Sequence, residues 1–300
     1  MDVLIDSNDV RIDRYLRRII PNLKQSVIEK SLRKGLIKVD GCKVRSSYRT
    51  KVGQSLTIEN LDYVSYLNSN KKCNEKLANI LQNSVLYEDQ HIISINKPQG
   101  IVVQGGTKVQ ISINDLLDQI KVGEKLKLVH RLDRDTSGVL LLARNAEAAS
   151  YLMQKFKSRK IKKVYLALTS GIPTQNSGFI NLPLVKKYVF GQEKVVVDEN
   201  LGQSAITQFS VIKKWQSKVA YLKLKPLTGR THQLRAHMSY IKCPIVGDGK
   251  YGGKNAFIAG IANKVHLHAY SISFKLPNDK IITITAPIPE YLENSIKYLG

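Results

Sequence analysis

The chain has 300 residues, 43% of them hydrophobic, which is enough apolar sequence to build the cores of two globular domains. It carries 47 Lys and Arg against 24 Asp and Glu, and a formal net charge of +23 favours a protein with a polyanionic partner, nucleic acid first. We find no apolar run near the roughly 20 residues of a membrane span and no basic amphipathic helix or lipidation motif. The acidic start, MDVLIDSNDV, lacks the features of a signal peptide, so we expect a cytoplasmic protein without membrane attachment.

The cysteines and histidines indicate neither disulfides nor a metal site. Cys42, Cys73 and Cys243 are odd in number and far apart in the chain, and His266 and His268 have no acidic or thiol partner at ligand spacing. We therefore expect reduced cysteines, no metal and no cofactor.

Two helices are predicted near the start of the chain. Apolar residues recur at helical spacing between Ile12 and Ile20, and Pro21 ends this pattern. Ser26, followed by Glu29, predicts a capping box that opens a second helix, which Gly35 closes.

Short strands and a dense positive charge follow. Residues 36–39 and 43–45 flank Asp40-Gly41, a hairpin-type turn, and residues 54–58 predict a further strand. Between residues 11 and 51 there are thirteen basic and three acidic residues, a net charge of +10. Such a charge can be a solvated helix face, but on a unit with a small core it favours contact with phosphate.

The arrangement R-I-D-R-Y-L through K-G-L-I-K-V-D-G resembles the small RNA-binding module of ribosomal protein S4, which also occurs in tyrosyl-tRNA synthetases. The resemblance implies an S4-like module at residues 11–60 that contributes affinity and position through phosphate contacts. A linker with a short helix is expected at residues 61–82. The RNA-binding candidates of the module are its basic residues Arg11, Arg14, Arg17, Arg18, Arg33, Lys34 and Arg45.

The rest of the chain contains polar motifs between predicted strands. Residues 85–96 alternate and stop at Lys97-Pro98-Gln99-Gly100, a turn. Lys97 either caps this turn or faces RNA. Nine residues, HRLDRDTSG at 130–138, lie between the apolar runs 126–129 and 139–143; a solvated surface turn is the alternative to a catalytic loop.

A helix and a strand are predicted next. Asn145 can cap a helix with Leu152, Met153 and Phe156 inward, and six cations crowd its end, which favours a polyanion. In KVYLALTSG, Tyr165 falls on the face opposite Val164, Leu166 and Leu168.

Residues 220–225 predict a further strand, which leads into PLTGRTHQLRAHM at 226–238, where Thr231 can start a helix. His237 falls on the apolar face and Arg235 on the polar face. GDGKYG at 247–252 matches G-x-G-x-x-G, but the strand before it and the acid after it are missing, so dinucleotide binding is excluded. Residues 265–276 and 281–286 predict closing strands, and residues 291–299 a terminal helix.

Four of these blocks resemble motifs of one family, the RNA pseudouridine synthases that modify large-subunit ribosomal RNA. The family forms are N-K-P-x-G-x-x-V-H, H-R-L-D-x-x-T-S-G, K-x-Y-L-A and G-R-[ST]-H-Q-L-R, and Gln104 departs from the first, where histidine is usual. HRLDRDTSGVLL and VVQGG look closer to the RluC subfamily than to RluD, whose motif usually reads H-R-L-D-K-D-T. We expect an α+β protein, with the αα-β module followed by a catalytic domain at 83–300 on a mixed, mainly antiparallel sheet flanked by helices.

The resemblance implies the roles of the site residues. Asp133, and not Asp135, falls on the catalytic position, Tyr165 lies against the target base, and Arg235 is expected to pair with Asp133 and keep it ionised. Arg131 would fill the place that the flipped uridine leaves in the RNA, and Arg134 is a further RNA-binding candidate. The strand 139–142 is expected to wall the pocket, with Asp135 a structural acceptor near Arg134 or the neighbouring hydroxyls. Whether Asp133 attacks the sugar, attacks the base or takes a proton stays open.

The sequence thus predicts an enzyme that isomerises specific uridines to pseudouridine in large-subunit ribosomal RNA, without metal, cosubstrate or obligate protein partner. Two alternatives remain: an RNA-binding ribosome-assembly factor with vestigial catalysis, and a sister synthase of the RluD type with other sites.

Overall fold

The computed structural model describes residues 1–20, 23, 25–60, 75–105, 111–189, 191–216, 218–277 and 279–300. The chain forms two compact units, residues 1–74 with 105–111 and residues 75–104 with 112–300. The predictions for Pro21 and for residues 61–74 lie outside the described residues. Within the described ranges, no helix is long and apolar enough to cross a membrane.

The first unit packs two helices on a four-stranded sheet of order β1-β4-β2-β3. The hairpin turn is confirmed, since Asp40 and Gly41 both have positive φ, and so is the helix end at Gly35, where φ is +74°. The capping box is wrong, because Ser26 is the second residue of its helix. The elements are β1 (Asp2–Leu4), α1 (Ile12–Ile19), α2 (Gln25–Lys34), β2 (Ile37–Val39), β3 (Cys42–Lys43) and β4 (Ser55–Ile58).

The second unit is built on a ten-stranded sheet, so the mixed α+β fold is confirmed. Its main order is β10-β13-β14-β9-β15-β8-β6-β5, with β16 beside β15 and β7 beside β8. Among its described strands, β8 and β15 run parallel and the other pairs run antiparallel. The strands are β5 (Val85–Glu88), β6 (Ile92–Lys97), β7 (Lys127–Leu128), β8 (Ser137–Ala143), β9 (Lys162–Ser170), β10 (Ser177–Asn181), β13 (Ile206–Trp215), β14 (Val219–Pro226), β15 (Leu267–Lys275) and β16 (Ile281–Thr285). A separate ribbon pairs β11 (Leu184–Val189) with β12 (Gln192–Val197).

Helices cover this sheet. They are α3 (Glu75–Gln82), α4 (Leu117–Ile120), α5 (Ala146–Lys157), α6 (Gln233–Tyr240), α7 (Gly249–Gly252) and α8 (Glu290–Leu299), with 3-10 turns at Ile113–Asp115 and Gly253–Ala256. The Asn145 side chain accepts the Ala148 N–H at 2.8 Å, which confirms the predicted cap of α5. Leu152 is buried as predicted, but Met153 is half exposed, so its inward placement is wrong.

Candidate active site

The loop before β8, residues 130–136, is held from behind by the turn after β6. Lys97 is fully buried, and its Nζ donates to the carbonyl oxygens of Pro98 at 2.9 Å, Ile101 at 2.8 Å and Arg134 at 3.1 Å. The Gly100 N–H also donates to the Arg134 carbonyl, at 2.8 Å. Lys97 therefore ties the two motif loops together and does not face solvent or RNA. Burial lowers the pKa of its amine to about 7.

Close backbone packing fixes where this loop enters the sheet. Gly138 pairs with Ala269 of β15, and Tyr165 of β9 pairs with Ala269 on one side and Leu224 of β14 on the other. Gly138 has a φ of +109°, and a Cβ at this position would lie 2.2 Å from the Ala269 carbonyl oxygen. Only glycine allows this approach, so the Asp133 loop and Tyr165 are brought to one row across the sheet.

The first turn of helix α6 carries the fourth motif, G-R-T-H-Q-L-R. Gln233 is buried; its Oε1 accepts from Thr228 Oγ1 at 2.7 Å and from the Arg230 N–H at 3.0 Å. Its Nε2 donates to the Ile206 carbonyl at 2.9 Å. The amide thus fixes the turn between β14 and α6, a role that sequence reasoning missed. The helix begins at Gln233 rather than at Thr231, with His232 as its left-handed N-cap residue.

His237 is the satisfied core histidine that its apolar face predicted. Its side chain is fully buried. Nδ1 lies 2.9 Å from Thr207 Oγ1, and Nε2 lies 2.9 Å from the Leu182 carbonyl oxygen.

These elements surround a cleft of about 510 Å³ that contains Asp133, Tyr165, Arg235 and Arg131. Its charged lining residues are one carboxylate, Asp133, and the six cations Arg131, Lys157, Arg159, Lys163, Arg230 and Arg235. A cleft lined by one sign of charge concentrates ligands of the other sign, here a polyanion.

The Asp133 carboxylate experiences two opposing influences. Burial raises its pKa, while the positive charges of Arg235, Arg131 and Lys97 lower it, Arg235 most strongly. The net effect leaves the pKa above its ordinary value of 3.8. Such a carboxylate is a stronger base and a less solvated nucleophile than one in water.

The expected ion pair between Arg235 and Asp133 is wrong. Arg235 instead binds Asp248 in a two-pronged pair, Nε to Oδ2 at 2.7 Å and Nη2 to Oδ1 at 2.8 Å, with both side chains buried. Asp248 follows a buried segment and its carboxylate faces α6, whose buried guanidinium it neutralises. Arg235 therefore affects Asp133 through its charge across the cleft.

Aromatic and aliphatic groups form the apolar part of the lining. Tyr165 stays neutral, because burial and the Asp133 charge raise its pKa. His130 accepts the Leu141 N–H at Nε2, at 2.8 Å, and stacks on Phe156 with ring centroids 4.6 Å apart. Burial lowers the pKa of His130 to about 3, so it is a neutral wall and not a base.

The strand 139–142 does not wall the cleft, contrary to expectation. Val139, Leu140, Leu141 and Leu142 are buried in the core, because β8 lies inside the sheet between β6 and β15. The apolar lining comes instead from Leu132, Phe156, Ile161, Tyr165, Pro226, Leu227, Leu234 and Leu267.

Other predicted residues lie outside the cleft lining. Arg134 is exposed and its Nε donates to Asp135 at 3.0 Å, in line with the acceptor role expected for Asp135. The module candidates belong to the first unit. Arg14, Arg17, Arg18, Arg33, Lys34 and Arg45 are exposed there, while Arg11 is half-buried and pairs with Asp13 at 2.8 Å. Gln104 is also exposed.

Chemically, the cleft presents one carboxylate of raised pKa beside a neutral phenol ring, inside a cationic rim. This set suits covalent or proton-transfer chemistry on a neutral ring attached to a polyanion. Among the described residues, no group of three His, Cys, Asp or Glu side chains could hold a metal ion.

Comparisons with known proteins agree with the site. The RNA pseudouridylate synthase family model matches residues 91–240, which include Asp133, Tyr165 and Arg235. A ribosomal large subunit pseudouridine synthase C from Rickettsia prowazekii is 36% identical over 98% of this chain and 100% of its own. The protein of the same name from Buchnera aphidicola is 35% identical over 100% of this chain and 96% of its own.

The solved structure of human RNA pseudouridylate synthase domain containing 4 is also similar, with a TM-score of 0.64 and 29% identity over 75% of this chain and 95% of that one. The resemblance seen in the four motifs is therefore confirmed. The chain belongs to the RNA pseudouridylate synthase family and is a pseudouridine synthase.

Proposed function

We propose that this protein isomerises specific uridines of large-subunit ribosomal RNA to pseudouridine in the cytoplasm, with Asp133 as the catalytic carboxylate. The observation that carries the proposal is the single carboxylate among six cations in the cleft lining. Relatives that match nearly the whole chain bear the name ribosomal large subunit pseudouridine synthase C, which supports this substrate and the RluC subfamily. No protein partner is part of the proposal.

The reaction needs no other reactant, because product and substrate are isomers. The bond between ribose C1′ and uracil N1 breaks, the base turns, a C1′–C5 bond forms, and the C5 proton is released while N1 gains one. Asp133 can attack C1′, attack the base, or remove a proton from the sugar as the base departs. All three routes require an ionised carboxylate, which the charges of Arg235, Arg131 and Lys97 favour.

The cleft must also hold a uridine that has left its stack, at a cost of a few kcal/mol. The ring of Tyr165 offers a stacking surface beside Asp133. Arg131 is exposed two residues before Asp133, where its guanidinium can occupy the space that the base vacates. The surrounding cations, Lys157 and Arg159 among them, line the cleft and would bind the phosphates on either side of the uridine.

The test is base-resolution mapping of pseudouridine in ribosomal RNA from cells that lack this protein, complemented with wild type or with Asp133→Ala. We expect specific large-subunit sites to disappear and to return with wild type alone. Sites that persist in the deletion strain would contradict the substrate assignment. Sites that return with Asp133→Ala would contradict the role of Asp133. Defective large-subunit assembly that Asp133→Ala rescues, without any lost site, would support the assembly-factor alternative.

A further inference from the structure

We propose that Asp248 is a positioning residue of the synthase reaction: its buried carboxylate holds the Arg235 guanidinium in the wall of the cleft and neutralises it there. This inference rests on the proposed function of Asp133. Asp248 does not line the cleft, so it would act through Arg235 and not by touching the RNA.

The geometry of the pair supports a positioning role. The side chain of Asp248 has no exposed area and that of Arg235 is 5% exposed. Two parallel N–H···O bonds of 2.7 and 2.8 Å fix the plane of the guanidinium as well as its position. A buried ion pair contributes little net stability compared with apolar residues of the same volume, so stability alone is a weak reason for one beside the cleft.

A second layer of contacts holds the pair. The ring of Tyr251 lies 5.0 Å from the Arg235 guanidinium carbon, and the Tyr251 hydroxyl accepts the Val195 N–H at 3.2 Å. The same hydroxyl lies 2.8 Å from His232 Nδ1. Burial raises the pKa of Tyr251 to about 12 and lowers that of His232 to about 4. The phenol therefore keeps its proton and the imidazole is neutral, so this contact joins two uncharged groups behind the guanidinium.

The pair bears on Asp133 through charge. Among the charges that counteract the effect of burial on the pKa of Asp133, that of Arg235 is the strongest. The Nε and Nη2 groups of Arg235 both donate to Asp248. If Asp248 moved or lost its charge, Arg235 would be less well placed and would carry an uncompensated positive charge beside the carboxylate. Asp248 thus couples the placement of Arg235 to the ionisation of Asp133.

The test is a double-mutant cycle on the single-turnover rate of pseudouridine formation, measured across pH with enzyme in excess over RNA. We expect Asp248→Asn to lower the rate about 10- to 100-fold with RNA affinity nearly unchanged. The acid limb of the pH–rate profile, where the rate falls as the pH is lowered, should move to lower pH by up to about one unit, because the extra positive charge favours ionised Asp133. When Arg235 is already replaced by Gln, the additional change Asp248→Asn should alter neither the single-turnover rate nor the position of the acid limb.

A matched control lies elsewhere in the same unit. Glu124 accepts from Nε and Nη2 of Arg144 in the same two-pronged way, and neither residue lines the cleft. Glu124→Gln should leave the rate and its pH profile unchanged. If Asp248→Asn does not fold, the double variant Asp248→Asn, Arg235→Gln, which has no unpaired charge, is compared with Arg235→Gln alone. A difference in rate or in pH profile between these two proteins contradicts the proposal.

Two results would overturn the inference: additive effects of Asp248→Asn and Arg235→Gln, or a rate loss without a shift of the acid limb. Failure of the proposed function looks different, since wild type would then form no pseudouridine or Asp133→Asn would remain active.

Discussion

At the scale of single residues, we predict that the ionisation of Asp133 controls the pH dependence of the reaction. Because burial raises the pKa of this carboxylate above 3.8, it takes up a proton at a higher pH than an ordinary aspartate does. As the pH is lowered, the rate should therefore fall before pH 3.8 is reached. Arg235→Gln removes the strongest opposing charge, so the pKa rises further and the acid limb moves to higher pH. Single-turnover rates across the acid limb measure this shift, and a limb in the same place for both proteins would contradict the charge coupling.

Two aspartates in one loop provide a matched comparison of catalysis. Asp133→Asn should lower the rate by about a thousandfold or more, because the amide is neither nucleophile nor base. Asp135→Asn should have a small effect, since Asp135 lies outside the cleft lining and pairs with exposed Arg134. Both variants should bind RNA with similar affinity. Equal losses of rate would show that the loop, and not the Asp133 carboxylate, matters.

Lys97 should make the stability of the protein depend on pH above neutrality. Its pKa is about 7 in the fold and 10.5 ordinarily, so between these values the unfolded chain binds more protons. The free energy of unfolding should therefore rise with pH in this window, by at most about 1.4 kcal/mol per pH unit from this group.

Lys97→Met should remove this rise, and the carbonyl oxygens to which Nζ donates would lose their donor, at about 1–3 kcal/mol for each lost bond. Urea unfolding of both proteins at pH 7, 8 and 9 measures the difference. Parallel pH profiles for wild type and variant would show that the buried amine keeps its ordinary pKa.

At the scale of elements, the approach of β8 to β15 depends on Gly138. Gly138→Ala should destabilise the fold by several kcal/mol, because the new Cβ meets the Ala269 carbonyl and φ is +109°. Gly123→Ala is the control: φ is +85° and no described atom beyond the adjacent residues lies within 4 Å of the new Cβ, so it should cost only about 1–2 kcal/mol. Denaturant unfolding compares the two, and equal costs would contradict the steric argument.

Elements with a strong local pattern could be predicted from the sequence. Alternation indicated β9, and the Asn145 cap with its apolar face indicated α5. Residues 172–219 gave no prediction, although they contain β10 to β13. Of these strands, β11 and β12 make a two-sided ribbon with polar residues on much of it. Such strands are specified by pairing rather than by burial of one face.

Residues of the site could be predicted only where each belongs to a recognisable sequence motif. Asp133, Tyr165 and Arg235 stood in recognisable strings, and the structure brings them to one cleft. Asp248 was missed because its string, GDGKYG, was compared only with a phosphate-binding loop, and its pairing with Arg235 is a tertiary contact. The core position of Val139 to Leu142 likewise depends on strand order, which local sequence does not contain.

At the scale of the whole molecule, an excess of basic charge is present both in the cleft lining and in the first unit. Arg14, Arg33 and Arg45 are exposed in the first unit, and we predict that they contact RNA phosphates away from the target uridine. Replacing all three with Gln should weaken RNA binding and reduce the slope of log K against log salt by about 0.7–0.9 for each phosphate that is no longer neutralised. The single-turnover rate at saturating enzyme should change little, because phosphate contacts give affinity and not chemistry.

The control is a variant in which three positive charges are removed from the second unit instead. Lys76, Lys125 and Lys127 are exposed and do not line the cleft, so their replacement by Gln should alter the salt slope less. Filter binding or fluorescence anisotropy at salt concentrations between 50 and 200 mM distinguishes the two variants. Over this range the affinity of a protein with about 6–10 phosphate contacts changes a thousandfold or more. If both changed the slope equally, the first unit would contribute only general charge, and the S4-like interpretation of residues 11–60 would lose its support.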